Sequence, residues 1–464
     1  MNRNIILIVL TFALSLTSVR LITITELSLT NFFLTQNFII PIIIGLCIDF
    51  YCLQIKKAPK WLLFFLTFLS VRSLFHTSNN DIVILFSSLM ILSTVLSWKG
   101  INTFATFLVS FWLTYNYETS FIGNLDVLSH NILSYLVLMS FILMCLLEKR
   151  NYLIKDKQTI VFAILASCYF SSFIAKFIMP DNSFVNYLRL NDMSNLITTA
   201  VINRSNILPI SFLTFLKPFI WFLKFISLTI EVSWILVFWF STYQKRILIA
   251  ITIGMHIMIY LTTGILFSQW IVLLILMLIY LEKTKPIIKL NYCLLGFILL
   301  TSLFKLGPGP YLGWLDSKCV ITYDFISKNG VVNRNTFSPF NLPLTQNRLQ
   351  KFINNDKVNV RSTFGSASNK NELLRFNSTC NTNLYLDYEN YSFNKAYQDV
   401  FFKNINTIKK KSIVPYHITD IHENYEIQFP LVLIKEKYFI TDYLQYKKVR
   451  TDTLKTLTYE DITN

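Results

Sequence analysis

Between residues 4 and 304 the chain is a succession of apolar runs separated by short polar loops, a pattern that leaves few folds open. In hydrocarbon no water is available to the backbone N–H and C=O groups, so each run must pair its own backbone. An α-helix does this within one segment. The candidate spans are 4–25, 38–55, 61–76, 82–98, 101–116, 128–147, 159–179, 217–243, 247–267, 270–282 and 288–304. A perpendicular crossing needs ~20 residues, and the runs within 61–116 and at 270–282 fall well short of it. Composition agrees with a membrane protein. Apolar residues make up 53% and charged residues 15% of the 464, where a soluble chain carries about a quarter charged residues. The expected fold is an all-α polytopic membrane bundle of about eleven helices over 1–304, some of half length, followed by a small α+β extramembrane domain over 305–464.

Loop charge orients the bundle. Lys56, Lys57, Lys60, Lys99, Lys149, Arg150, Lys155, Lys157, Lys245, Arg246, Lys283, Lys285 and Lys289 follow alternate spans, while the intervening loops hold Glu26, Glu118, Asp126 and Asp181. Cationic loops stay cytoplasmic, which places the N-terminus inside and the 305–464 domain outside. The same rule accounts for the net charge of +16 without nucleic acid. The run from Asn4 to about Thr25 is too long for a signal-peptide core and is read as the first span. Seven cysteines show no CxxC and no Cys/His zinc spacing, so no metal site is expected.

The tail opens on "KLGPGPYLGWLDSK", whose Gly and Pro residues end the last helix. "KCVITYDFISKNGVV" alternates around Asn329-Gly330, a hairpin signal. A helical pattern lies near Leu344–Asn354, and "EIQFPLVLIKEKYFITDY" has strand character. Outside the cell Cys319 and Cys380 would be candidates for a disulfide, and Asn377 and Asn390 fit the glycosylation pattern.

Ionisable groups inside the membrane point to function by default. Arg20, Arg72, His130, Lys176 and Lys224 lie towards the outer ends of their runs; Glu231 and His256 fall nearer the middle. At 1.5 Å per residue His256 is roughly 14 Å from a helix start at residue 247. Lys217, Lys224 and Glu231 are spaced by seven, so they form one stripe that drifts only ~20° per step, and that stripe should face the bundle interior. Pro218 falls in the first turn of such a helix, where a missing N–H matters little. Snorkelling to the headgroups explains Arg20, Arg72 and Lys217 without a further role. Lys176 is open to snorkelling or to chemistry, and both histidines to packing or to function. Glu231 needs a cation or a proton, supplied by a structural pair (Lys224 on its own stripe, or a cation on an adjacent helix) or by a catalytic role.

"YFSSFIAK", Tyr169 to Lys176, resembles the vitamin K-dependent gamma-glutamyl carboxylases and the wider family of horizontally transferred transmembrane (HTTM) proteins. "MHIMIYLTTGILFSQWIVLL" from Met255 is similar to that family's histidine-bearing helix, and "TIEVSWILVFW" from Thr229 to the acidic segment before it. "LSHNILSYLVLM" from Leu128 and the tail's "LGWLDSKCVITYDF" are similar to further segments. The chain departs at Asp181, where the family often carries a tryptophan, and its tail is much shorter than that of the animal carboxylase. The resemblance implies a carboxylase-like membrane enzyme of a bacterial cytoplasmic membrane. Lys176 would be its base and a reduced, vitamin K-like lipid quinone its cofactor. His256 and His130 would line the same outer-half cavity, Lys224 would be the nearby cation, and an exported peptide or protein would be the substrate. The alternative is a non-catalytic membrane partner in maturing or exporting a secreted peptide or toxin.

The loop charges generate a direct expectation. After reduction, Cys319 or Cys380 should react with an impermeant thiol reagent added to intact cells. Labelling only after permeabilisation reverses the orientation.

Overall fold

The structure is a computed structural model that describes residues 6–16, 38–52, 58–76, 81–122, 126–149, 157–178, 183–202, 206–264, 266–281 and 288–303. Beyond these it describes the strand segments 313–314, 319–326, 332–334, 366–367 and 431–457. It is mostly helical. In chain order the helices are α1 (Ile6–Leu16), α2 (Ile39–Tyr51), α3 (Lys60–His76), α4 (Asp81–Trp98), α5 (Phe104–Ile122), α6 (Asp126–Lys149), α7 (Lys157–Ile178), α8 (Phe184–Arg189), α9 (Asp192–Ile202), α10 (Ile210–Leu216), α11 (Ile220–Ser233), α12 (Thr242–Thr263), α13 (Ser268–Ile279) and α14 (Ile288–Leu303).

Among the described residues four helical stretches are long and apolar enough to cross a membrane: Ile132–Lys149, Lys157–Ile178, Ile210–Leu236 and Thr242–Thr263. The other apolar stretches among the described residues run 10–17 residues, so four of the eleven expected spans have the length and apolarity of a full crossing. Large apolar side chains face outward along the bundle, Phe50 at 78%, Ile279 at 64% and Trp221 at 61% exposure. A surface of this kind needs an apolar surrounding, and a bilayer supplies one.

α7 is the axis of the assembly. It is apolar nearly all round, and such a helix is buried on every side. Of its span 83% is buried, against 39% for Ile210–Leu236 and 33% for α12. α6, α8, α11 and α14 pack directly on it. Glu148 at the end of α6 and Lys157 at the start of α7 form an ion pair at 3.0 Å.

An unforeseen carboxylate joins two of the shorter helices. Asp49 of α2 is buried, and its two oxygens accept from the backbone N–H groups of Ala105 (2.9 Å) and Thr106 (2.8 Å). These are donors of the first turn of α5, which have no partner within their own helix. One turn earlier on α2, a Cβ on Gly45 would stand 3.1 Å from the Thr106 Cα, so the close approach requires glycine.

The expected helix over 217–243 is displaced. The helical stretch begins at Ile210 and closes with a 3-10 turn at Trp234–Leu236. Pro218 therefore lies inside it, and the proline ring, which lacks an N–H and crowds the preceding turn, converts Lys217–Phe219 to 3-10 geometry between α10 and α11. α12 starts at Thr242, where Ser241 and Gln244 form a reciprocal capping box. His256 is accordingly about 21 Å from the start of its helix, closer to its C-terminal end than expected. α8 and α9 were not foreseen; Ser183 caps α8 by accepting from the Asn186 N–H.

Beyond residue 303 the described residues are strands and one turn. β2 (Cys319–Ile326) pairs antiparallel with β3 (Val332–Arg334) around the expected Asn329-Gly330 hairpin, Ile326 opposite Val332. β5 (Leu431–Asp442) and β6 (Gln445–Leu457) form a long hairpin, and the sheet order is β3-β2-β5-β6. β1 (Gly313–Trp314) and β4 (Ser366–Ala367) make a separate pair. The expected helix near 344–354, Cys380, both glycosylation sequences and Arg20 lie outside the described residues.

The β5–β6 turn docks on the bundle. Tyr443 is buried among Ile197, Leu213, Leu216 and Ile220; its hydroxyl donates to the Leu213 carbonyl at 2.6 Å. Burial pushes this phenol up to about 12, so the donor proton is retained. The Leu444 N–H donates to Thr198 Oγ1 at 2.9 Å. Lys217 reaches Asp442 at 2.7 Å. Lys217 is thus on the surface, off the interior stripe and in line with the reading that its ammonium reaches outward. That hydrogen bond and the Tyr443 backbone N–H hold the Asp442 carboxyl below its ordinary value. The contact is therefore complete above the ordinary carboxylate range and weakens as pH falls through the lowered value.

The Asp49 cap leads to an expectation for stability. Asp49→Ala strands two buried N–H groups, at about 1–3 kcal/mol each, and should lower the melting temperature in detergent; Asp49→Asn, with one acceptor oxygen, should lose less. An unaltered Asp49→Ala melt would show that water reaches α5.

Candidate functional site

The site is assembled on one face of α7. Tyr169, Ser172 and Lys176 occupy positions 0, +3 and +7, which bring them into one row down the helix. The facing row, on α11 and its terminal 3-10 turn, carries Glu231 and Trp234 three residues apart. Lys176 is 3% exposed and Glu231 4%. The ammonium bonds Glu231 Oε1, and Ser172 Oγ donates to the same oxygen at 3.2 Å. This disposes of snorkelling: Lys176 reaches into the bundle, not out to the headgroups.

One turn or two below, Tyr169 stacks on Trp234 with ring centroids 5.0 Å apart and planes 15° apart. Trp270 of α13 meets Tyr169 edge-on at 5.2 Å. The Tyr169 hydroxyl lies 2.8 Å from His256 Nε2, and the imidazole is bordered by Phe267 at 5.1 Å and Trp270 at 6.0 Å. Trp234 Nε1 donates to Thr252 Oγ1 at 3.1 Å, one turn before His256 on α12. Gly264, at φ 76°, ends α12 in the left-handed conformation that suits glycine, turning the chain so that Phe267 and Trp270 return to the same place.

The two inward lysines differ in how completely they are paired. Lys224 is 1% exposed; its Nζ donates to the Tyr187 carbonyl, to Leu190 O at 2.9 Å and to Asp192 Oδ1 at 2.6 Å. An ammonium has three N–H bonds, and all three are taken. Two of the acceptors are carbonyls at the C-terminal end of α8, so Lys224 caps that helix while neutralising Asp192. The expected pairing of Lys224 with Glu231 is not formed. Along one helix, seven residues separate them by ~10 Å, and a shared stripe does not make them neighbours. Lys224 nonetheless flanks the site: its Nζ is 4.3 Å from the Tyr187 ring centroid, and Lys176 Nζ lies 6.0 Å from the same ring.

Lys176, by contrast, uses one of its N–H bonds on Glu231, whose Oε2 has no protein partner. Two turns away, His256 Nδ1 is a second buried polar atom without one. Each buried polar atom left unpaired costs about 1–3 kcal/mol.

The structure therefore pairs Lys176 with Glu231, pairs His256 with Tyr169 two turns away on the same face of α7, sets Lys224 across the Tyr187 ring in a separate ion pair, and leaves the His130 side chain outside the described residues, within the α6 range. Among the described residues no group of three His, Cys, Asp or Glu could hold a metal ion. Sequence reasoning missed Asp192, Tyr187 and the role of Tyr169. Asp192 was legible as an acid in the apolar "LRLNDMSNLI", and Tyr169 lies two helical turns before Lys176; nothing in the sequence pairs either with its partner.

The buried pair predicts an asymmetric pattern of stability. Removing one member leaves an unpaired charge and costs about 3–5 kcal/mol, so Glu231→Ala or Lys176→Ala alone should lower the melting temperature strongly. The double change Lys176→Met with Glu231→Met should recover most of the loss. Additive losses would show the two groups to be independent. Comparison of the chain with protein-family models, curated proteins and solved structures finds no match.

Proposed function

We propose that this chain is an integral-membrane enzyme of the carboxylase-like type, with Lys176 and Glu231 as its proton-handling centre. It would modify an exported peptide or protein at the outer side of a bacterial cytoplasmic membrane. The observation that carries the reading is the contrast between the lysines. Lys224 has every donor engaged in holding α8 and Asp192, whereas Lys176 keeps donors to spare beside the unpartnered Glu231 Oε2. A purely structural pair would be expected to close its hydrogen bonds as Lys224 does.

The pairing suits the chemistry. A proton moving from Nζ to Oε1 converts an ammonium–carboxylate pair into an amine–acid pair, and the total charge is zero in both forms. No net charge is then carried into the low-dielectric interior, where an isolated ion is prohibitively unfavourable. Ser172, bonded to the same oxygen, holds the carboxyl in place while the proton moves.

The residues fit a reduced lipid quinone. Tyr169, Trp270 and Phe267 offer aromatic surface for a planar ring, and Glu231 Oε2 and His256 Nδ1 offer polar partners for its oxygens. Such a group supplies an acidic hydroxyl proton and oxygen-reactive electrons when bound. The protein's own work is to receive a proton at Lys176 Nζ, to orient the ring with His256, and to exclude water with the tryptophans. The alternative, a non-catalytic partner in maturing or exporting a secreted peptide, is favoured by the docked β5–β6 turn, which ties the extramembrane strands to the bundle.

The test uses purified protein with reduced menaquinone, labelled bicarbonate and the exported proteins of its host. Wild type should incorporate label. Lys176→Arg should abolish incorporation while folding normally, because arginine keeps a charge but does not give up its proton. Label incorporated equally by the arginine variant overturns the role of Lys176, and none incorporated by wild type favours the non-catalytic partner.

A further inference from the structure

Tyr169 and His256 share a single hydrogen bond, and the count of protons around it is informative. A neutral imidazole has one N–H and one lone pair, and a phenol has one hydrogen to donate. If Tyr169 donates to Nε2, the imidazole proton is on Nδ1, and Nδ1–H and the phenol oxygen's lone pairs lack partners. If Nε2–H donates to the phenol oxygen instead, the phenol hydrogen and the Nδ1 lone pair go unpaired. An imidazolium would leave both the phenol hydrogen and Nδ1–H unpaired and add a buried charge, since Nε2 meets only the phenol and Nδ1 has no partner. Between the two neutral arrangements the first makes the stronger bond, because a phenol is a more acidic donor than an imidazole N–H and an imidazole nitrogen a more basic acceptor than a phenol oxygen.

We infer that Tyr169 is a positioning residue that fixes His256 as its Nδ1–H tautomer, so that His256 offers a hydrogen-bond donor to an acceptor oxygen, of carbonyl or carboxylate type, in the aromatic site. His256 is then not a base. The inference stands whether or not Lys176 is catalytic, because it depends only on the Tyr169–His256 geometry and on the unpartnered Nδ1. The phenol is held in its orientation from two sides. Trp234 stacks on its face and is itself tethered to Thr252, and Trp270 closes its edge. Thr252 and His256 share one face of α12, so the tether and the imidazole move as a unit.

The experiment is nitrogen-15 NMR of the full chain in lipid nanodiscs with histidine-selective labelling. The chain has 5 histidines, and the signals lost in His256→Gln identify His256. In wild type at neutral pH, Nδ1 should give the resonance of a protonated ring nitrogen and Nε2 that of an unprotonated one. Tyr169→Phe removes the donor to Nε2, and the two assignments should exchange as the proton moves to Nε2. A purely structural tyrosine would leave the tautomer where it was. Wild-type His256 protonated at Nε2 overturns the inference, and so does a Tyr169→Phe protein with an unchanged tautomer. Should Tyr169→Phe fail to fold, the wild-type spectrum decides alone.

Discussion

An ammonium and a carboxylate inside a helical bundle surrounded by hydrocarbon must find each other or give up their charges, and the Lys176–Glu231 pair is where this chain meets that constraint. The pair bridges α7, the most buried helix, and α11, whose outer face is exposed. Breaking either side would leave an ion that neither lipid nor apolar side chains can solvate. Ser172, Tyr187, Trp234 and the Tyr169–His256 bond are all arranged within one or two helical turns of it. Elsewhere on α7, Gln158 donates to the Tyr280 carbonyl and Ser171 meets Ser302.

Two buried lysines in one bundle make a useful internal comparison. Lys224 shows what a structural lysine looks like here, with three acceptors, a carboxylate among them, and no donor left over. Its place is explained by the ends of α8, whose last carbonyls need partners. Lys176 has one carboxylate and a spare, unpartnered oxygen on that carboxylate. Buried polar networks are strongly favourable when complete and unfavourable when partial. The incomplete one is where a ligand would gain most by binding.

The extramembrane strands are tied into this arrangement through α9. Thr198 of α9 receives the Leu444 N–H, while Asp192 at the start of the same helix holds Lys224. Leu444 sits at φ 57°, a conformation that an ordinary residue adopts at a cost of about 1–3 kcal/mol. The hydrogen bonds from Tyr443 and Leu444 and the burial of the tyrosine offset it. The connection between the expected spans 159–179 and 217–243 contains two short helices, α8 and α9, which reach both the hairpin and Lys224.

Much was legible before any coordinates. Apolar run length gave the helices because a chain in hydrocarbon has to pair its own backbone, and the apolar–polar alternation on either side of Asn329-Gly330 gave the antiparallel β2–β3 pair. The inward position of Glu231 followed from the cost of exposing it to lipid, whereas Lys176 stayed open to snorkelling and His256 to packing or function until their partners were seen. The β5–β6 turn was not legible: Tyr443-Leu444 lacks the residues such turns prefer, and β6 alternates no apolar face, with Lys447, Lys448 and Arg450 in its first half. Nor were the partners. A row of residues seven apart fixes which face of a helix is polar, but pairing depends on which helices stand next to one another and at what height. Only packing set Lys176 opposite Glu231 and gave Lys224 to Asp192. Only the folded chain left His256 Nδ1 and Glu231 Oε2 buried without partners, because the lack of a partner is a property of three-dimensional surroundings that no single segment contains.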